Sequence, residues 1–298
     1  MTNTLSDLSD ALADVVDAAS VSLVRVEGRQ RMPASGIVWS AEGLIVTAHH
    51  VVTRDEDIAV GLPDGQTVAA ALVGRDPTTD IAVLQAEATG LPVPAWAEPD
   101  SLRVGRLALA LGRPGRAAQA TLGIVSALGQ SWRTPPGGLI DRYVQTDVTM
   151  YPGFSGGPLV DVAGRVAGLN SSALMRGVSV AIPVPTLRRV VAVLVEHGHV
   201  RQGYLGVSAQ PVRLPDSLAA EVGQSTGLLL AMVEPGSPAE HGGLVLGDTI
   251  VSLDGEPVRT LDDLLALLSG DRVGREVPLR IVRGGKVQTV SVTIGERG

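Results

Sequence analysis

The sequence predicts an all-β body of two six-stranded antiparallel barrels, followed by a small α+β module. Three observations carry this. Between Val21 and Ala181 the apolar runs are short and broken by Gly, Pro and Asp, the pattern of strands joined by turns. The runs fall into two sets of six, separated by a Pro-rich stretch at Pro92, Pro94 and Pro99. Near residue 200 the pattern restarts around one short helix. The totals agree. A chain of 298 residues exceeds one small core, and 45% hydrophobic residues supply ample material for two. The 36 Gly and 19 Pro suit many turns without the density of a disordered chain.

Residues 1–20 are expected to hold an amphipathic helix, because Leu5, Leu8, Leu12, Val15, Val16 and Ala19 recur at helical spacing behind a Thr4/Asp7 capping signal. Such a helix either docks on its own domain or serves as an oligomer contact. The first strand set is Val21–Glu27, Ser35–Ser40, Leu44–Thr47, Asp57–Leu62, Thr67–Arg75 and Ile81–Ala86. The second is Arg106–Leu111, Ala120–Leu128, Arg142–Thr146, Pro158–Val160, Arg165–Asn170 and Val178–Ala181. Pro185–His197 reads as a helix with Leu187, Val190, Val191, Leu194 and Val195 on one face and Gly198 as its cap. The domain boundary falls there, giving units 21–199 and 200–298. In the second unit Tyr204–Ala209, Gly227–Val233, Thr249–Leu253, Val277–Val282 and Val287–Ile294 read as strands. Leu261–Leu268 reads as a helix between Thr260 and Gly270, and Asp254-Gly255 and Gly284-Gly285 as hairpin turns.

Composition excludes several functions. The formal charge is −7 and no basic run occurs, so a nucleic-acid partner is not expected. With no cysteine there are no disulfides, thiolate nucleophiles or Cys-ligated metals. His197, His199 and His241 lack metal-ligand spacing, and no cofactor is called for. Asp7, Asp10, Asp14 and Asp17 precede the first cation, Arg25, which is not the basic start of a secretory signal. No apolar run approaches membrane-span length. As given, the chain reads as cytoplasmic; the alternative, if a leader was removed, is the bacterial periplasm or cell envelope.

Acyl transfer by a serine needs a hydroxyl nucleophile, an imidazole base, a carboxylate to orient it, and backbone N–H donors facing the developing oxyanion. Gly153-Phe154-Ser155-Gly156-Gly157-Pro158 supplies the serine. Gly153 can take backbone angles closed to other residues, so that the N–H groups of Gly153 and Ser155 converge as an oxyanion hole. Thr47-Ala48-His49-His50 is a hydrophobic strand running into a turn, and its pattern selects His50 as base over His49. Asp80 stands directly before the apolar run Ile81–Leu84, at a barrel rim where it can accept the imidazole N–H. The order His, Asp, Ser is that of chymotrypsin.

These three segments, with Gln145-Thr146-Asp147 ahead of the serine, resemble the HtrA (DegP-like) family of trypsin-fold serine proteases. The resemblance implies a chymotrypsin-like protease domain over 21–199 with His50, Asp80 and Ser155 as catalytic triad. It places a substrate pocket at Met150, Tyr151, Asn170 and Ser171, suited to small or aliphatic residues. It matches Gly129–Gly138 to a loop that relays effector binding, one that its polar, turn-rich sequence makes mobile. Tyr204-Leu205-Gly206-Val207 resembles the carboxylate-binding loop of a PDZ domain, which adds a C-terminal peptide as a strand beside Leu205–Ala209. Pro235–Ala239 and Leu246–Ile250 match the same pattern. The implied partners are unfolded polypeptides and C-terminal peptides. A homotrimer or larger assembly through N-terminal residues is also implied, although residues 1–30 hold none of the aromatic residues that often make that contact. Phe154 departs from the family, which usually has Asn there, and an apolar ring cannot give the polar support of Asn. The alternative reading is therefore a catalytically inactive, PDZ-bearing peptide-binding scaffold.

Overall fold

The computed structural model describes residues 4–30, 32–175, 177–201, 203–268 and 272–296. The chain divides into two compact units, Met1–Val200 and Arg201–Gly298.

The first unit opens with helix α1 (Thr4–Ser20). Its C-terminal half docks: Ala19 is buried and Leu12, Val15 and Val16 pack against the core, whereas Leu5 is 79% exposed. Strands β1 (Leu23–Glu27), β2 (Ala34–Val38), β3 (Leu44–Ala48), β4 (Ile58–Gly61), β5 (Thr67–Asp76) and β6 (Ile81–Ala86) close into an antiparallel barrel in the order β1-β2-β3-β6-β5-β4. The register Ala48↔Ile81 ends the β3–β6 ladder, so the turn after β3 and the residue before β6 meet at one rim.

A second closed antiparallel barrel has the order β11-β14-β13-β12-β7-β8. Its strands are β7 (Leu107–Gly112), β8 (Gln119–Leu128), β11 (Val144–Thr146), β12 (Pro158–Asp161), β13 (Val166–Ser171) and β14 (Ser179–Pro183). The two expected sets of six are thus the strands of two barrels. Sequence periodicity missed a two-stranded hairpin, β9 (Trp132–Arg133) with β10 (Leu139–Ile140), because two-residue strands have no period to detect. Helix α2 (Val184–His197) packs on β5, β6 and β13, and Gly198 caps it with φ +77° and an N–H donated to Leu194 O. One core cluster joins Leu23, Ile37, Ile45 and Leu84 to Leu111, Leu169, Ile182 and Leu187, so the two barrels share apolar packing. Each such side chain removed from water contributes about 1.5–3 kcal/mol.

The second unit has a sheet of order β16-β17-β18-β20-β21, with β19 paired to β18. Its elements are β15 (Gly203–Tyr204), β16 (Val207–Arg213), α3 (Asp216–Val222), β17 (Thr226–Val233), α4 (Pro238–His241), β18 (Thr249–Leu253), β19 (Glu256–Pro257), α5 (Leu261–Leu268), β20 (Glu276–Arg283), β21 (Lys286–Thr293) and β22 (Gly295–Glu296). The two short helices α3 and α4 went unpredicted; α3 is only seven residues long, and its apolar face, Leu218, Ala219 and Val222, is only partly buried, against Leu214, Val251 and Val282. Gly270, expected after α5, lies outside the described residues. The core gathers Leu228, Leu230, Ile250, Leu264, Leu279 and Ile281.

Candidate active site

The barrel rim pairs an imidazole with a carboxylate. A 3-10 turn at His49–Val51 follows β3 and presents His50. Its Nδ1 lies 3.0 and 2.9 Å from the two Asp80 carboxylate oxygens, and its backbone N–H donates to Asp80 Oδ1 at 2.9 Å. Ser171 Oγ donates to Asp80 Oδ2 at 2.5 Å. Asp80 is only 4% exposed, and these donors replace the water its carboxylate has lost. Its φ of +60° is a conformation that Asp tolerates better than most residues. A carboxylate on Nδ1–H leaves Nε2 as the imidazole's free acceptor. The turn before Asp80 is built on a second buried carboxylate, Asp76, which accepts the Thr78 N–H and the hydroxyls of Thr78 and Thr79. Sequence reasoning passed over Asp76, since an Asx turn shows only as one more polar residue.

The serine turn precedes β12. Gly153 has φ +91°, and neither its N–H nor that of Ser155 has a hydrogen-bond partner among the described residues. Phe154 N–H donates to Tyr151 O at 3.0 Å, and Gly157 N–H to Phe154 O at 2.9 Å. The Phe154 ring is fully buried with Ala110, Val148 and Leu159, and meets Tyr151 edge-to-face at 5.8 Å. A Cβ on Gly112 would lie 2.5 Å from that ring, so the glycine makes room for it. Packing in the second barrel therefore holds Phe154.

Ser155 and His50 share no direct hydrogen bond among the described residues. Ser172 stands between them: its Oγ lies 3.0 Å from Ser155 Oγ and 3.5 Å from His50 Nε2, and its N–H donates weakly to Ser155 Oγ at 3.4 Å. Ser172 escaped sequence reasoning because it follows β13 as one of two adjacent serines. Of the residues expected to form the substrate pocket, Asn170 and Ser171 make hydrogen bonds within the fold. Asn170 Nδ2 donates to Pro158 O at 2.8 Å and Ser171 serves Asp80. Met150 is half-buried against the second barrel's core and Tyr151 is exposed. Within the loop expected to be mobile, buried Thr134 donates to Thr78 O at 2.6 Å, which ties that loop to the segment of Asp80.

His49, the imidazole not chosen, is half-buried. Burial pushes its pKa below the ordinary 6.5; Arg75 and His50 push the same way, and Asp80 and Asp76 oppose them. Its buried Nδ1 has no hydrogen-bond partner among the described residues. A folded-state value below the unfolded one means that the unfolded chain takes up the proton first as pH falls. The stability His49 contributes is complete above about pH 6.5 and is lost as pH drops through its folded value. Urea midpoints at pH 7.5 and pH 5 should therefore fall further for the wild type than for His49→Gln. Equal falls would mean that His49 does not titrate with unfolding.

In the second unit, Gly206 has φ +77°, and the N–H groups of Leu205 and Gly206 have no partner among the described residues. Glu234 N–H donates to Gly206 O and Ala239 N–H to Leu205 O, fixing the loop, while the Tyr204 hydroxyl donates to Glu234. Strand β16, which follows, is one of the two edge strands of its sheet.

Comparison with known proteins finds relatives of both units. A trypsin-like peptidase domain profile matches residues 34–169, and a PDZ domain profile matches 203–294. The solved structure of the HtrA-type protease AlgW with a tripeptide is 32% identical, with a TM-score of 0.76 over 96% of this chain and 97% of that one. The chain belongs to the HtrA family of serine proteases. The serine endoprotease from Yersinia pestis, another solved relative, is 30% identical with a TM-score of 0.78, over 96% of this chain and 98% of that one. Among HtrA relatives by sequence, a probable periplasmic serine endoprotease DegP-like of Pseudomonas putida (strain GB-1) is 38% identical over 267 residues, 88% of this chain and 55% of that protein. Its counterpart in Ectopseudomonas mendocina (strain ymp) is 39% identical over 277 residues, 90% and 58%. The chain thus spans a little over half the length of these two HtrA relatives.

Proposed function

We propose that this chain is a serine endopeptidase that cleaves unfolded or damaged proteins, with a protease domain at 21–199 and a PDZ domain at 200–298 that recognises C-terminal peptides. The observation that carries the reading is the Asp80 carboxylate on His50 Nδ1, with the Ser155 hydroxyl reaching His50 Nε2 through a single intervening hydroxyl.

In this reading Ser155 Oγ attacks the scissile carbonyl carbon while His50 Nε2 takes its proton. The charge that forms on the carbonyl oxygen is met by the N–H groups of Gly153 and Ser155. The C–N bond breaks as His50 returns the proton to the amine, and water then releases the acyl group by the same steps in reverse. Rotation of the Ser155 hydroxyl exchanges Ser172 for His50 when substrate enters; catalytic hydrogen bonds in empty sites are commonly long. The free N–H groups of Leu205 and Gly206 beside the open edge of β16 support peptide capture by strand addition. The buried Phe154 anchor favours the enzyme over the inactive scaffold.

Among the described residues no helix is long and apolar enough to cross a membrane. The periplasmic naming of the relatives favours the envelope alternative over the cytoplasmic expectation. Assembly as a homotrimer or larger is proposed through α1, whose N-terminal half leaves Leu5 and Leu8 exposed.

A fluorophosphonate probe tests the central claim. It should label the intact chain once, at Ser155, as located by mass spectrometry, with labelling slowed by a small aliphatic peptide aldehyde. An unlabelled, folded chain would leave only the peptide-binding scaffold.

A further inference from the structure

We propose that Ser35, on β2 of the first barrel, is a positioning residue that sets the backbone of the oxyanion turn; this rests on the proteolytic reading of Ser155. Ser35 is fully buried and bonds in four directions. Its Oγ donates to Gly153 O at 2.6 Å and accepts the Arg113 N–H at 2.7 Å. Its own N–H donates to Ser155 O at 3.2 Å. Its carbonyl accepts Thr47 Oγ1 at 2.6 Å, three residues before His50. The fit is close: a Cβ on Gly156 would lie 2.1 Å from Ser35 O and 2.3 Å from Thr47 Oγ1.

The geometry of these bonds fixes the Ser155 N–H, one of the two oxyanion donors, without touching it. The peptide plane joining Gly153 to Phe154 is held at its carbonyl by Ser35 Oγ and at its N–H by Tyr151 O. The plane following Ser155 is held at its carbonyl by Ser35 N–H. The Ser155 N–H belongs to the plane between these two, so its direction is set from both sides. Rotating the Gly153 carbonyl would swing the turn and break the Ser35 bond. Donors aligned before the charge appears need no reorganisation when it does, and this is where oxyanion stabilisation acquires its strength. The tie crosses from one barrel to the other, so barrel packing and turn geometry are set together.

The test measures kcat and KM on a peptide substrate, and the affinity of a peptide aldehyde whose hemiacetal oxygen uses the same donors, for the wild type, Ser35→Ala and Ser35→Cys. Ser35→Ala should lower kcat by roughly 10- to 100-fold, short of the loss seen when a donor itself is removed. KM should stay within about 2-fold, since only an interaction made in the transition state is weakened. Aldehyde affinity should fall by the same factor as kcat, and the pH profile of kcat/KM should keep its shape, because His50 is untouched. Ser35→Cys keeps a donor, though a weaker and somewhat larger S–H, and should fall between; if the alanine variant does not fold, the cysteine variant decides alone. A folded variant with wild-type kcat and aldehyde affinity, or with its loss confined to KM, overturns the proposal. An unreactive wild type removes the proteolytic reading and this one together; a reactive wild type with an unaffected Ser35→Ala removes only this one.

Discussion

Ser155→Ala should lower kcat by roughly 10⁴- to 10⁶-fold on any peptide substrate, while the chain stays folded. The size follows from removing the only atom that forms the acyl bond. The mildness of the structural effect follows from its surroundings. Ser155 Oγ has one full hydrogen bond, to Ser172 Oγ, and a weak one from the Ser172 N–H. Ser172 Oγ keeps His50 Nε2 as a partner, so no buried group is stranded, and the cost in stability should stay below about 1.5 kcal/mol. Because the triad acts as a unit, adding His50→Ala to Ser155→Ala should lower the residual rate little further. Initial rates with a fluorogenic peptide and a urea titration of each variant measure both halves. A Ser155→Ala chain that retained a tenth of the wild-type kcat would place the nucleophile elsewhere.

Asp80→Asn should cost about 10⁴-fold in kcat, nearly as much although it alters no reacting atom. Asn tolerates the positive φ at this position almost as well as Asp, so the backbone turn survives and the effect reports chemistry. Asp80 accepts from the His50 N–H, His50 Nδ1–H and Ser171 Oγ. An amide cannot accept at both of its ends. With Oδ1 kept by the His50 backbone N–H, Nδ2 meets His50 Nδ1 as a donor and drives the ring proton to Nε2, the wrong tautomer for a base facing Ser155. Proton NMR of the ring N–H would show the exchange directly. Its signal should move from Nδ1 to Nε2 while the overall fold, by circular dichroism, is unchanged. Wild-type kcat in Asp80→Asn would leave the carboxylate without an orienting role.

Much of this site was legible in the chain because its chemistry is carried by local patterns. A glycine-rich turn before a proline-led strand, an imidazole after a hydrophobic strand and a carboxylate directly before another each mark a strand end. The barrels were legible for a related reason: Ile45–Ala48 and Ile81–Leu84 have the short apolar runs that strands need, and β3 and β6 do pair. Ser172, Ser35 and Asp76 were not legible. They are ordinary polar residues in sequence: the partners of Ser172 and Ser35 are set by barrel closure, and Asp76 bonds its own chain neighbours Thr78 and Thr79 in a turn that no apolar period marks. Phe154 is the sharpest case. Its departure from the family suggested a weakened turn, but the space beside Gly112 that accepts its ring exists only once β7 lies against the serine segment.

What the sequence determined by itself was the architecture and the order of the candidate residues along the chain: two barrels, a small α+β module, and His50, Asp80 and Ser155 at strand ends. Periodicity and turn composition act over a few residues and can be read there. What only the tertiary structure decided was how those atoms are held. Hydrogen bonds such as Ser35 to Gly153 join residues over a hundred positions apart, and their geometry comes from the register and packing of strands that no local pattern specifies.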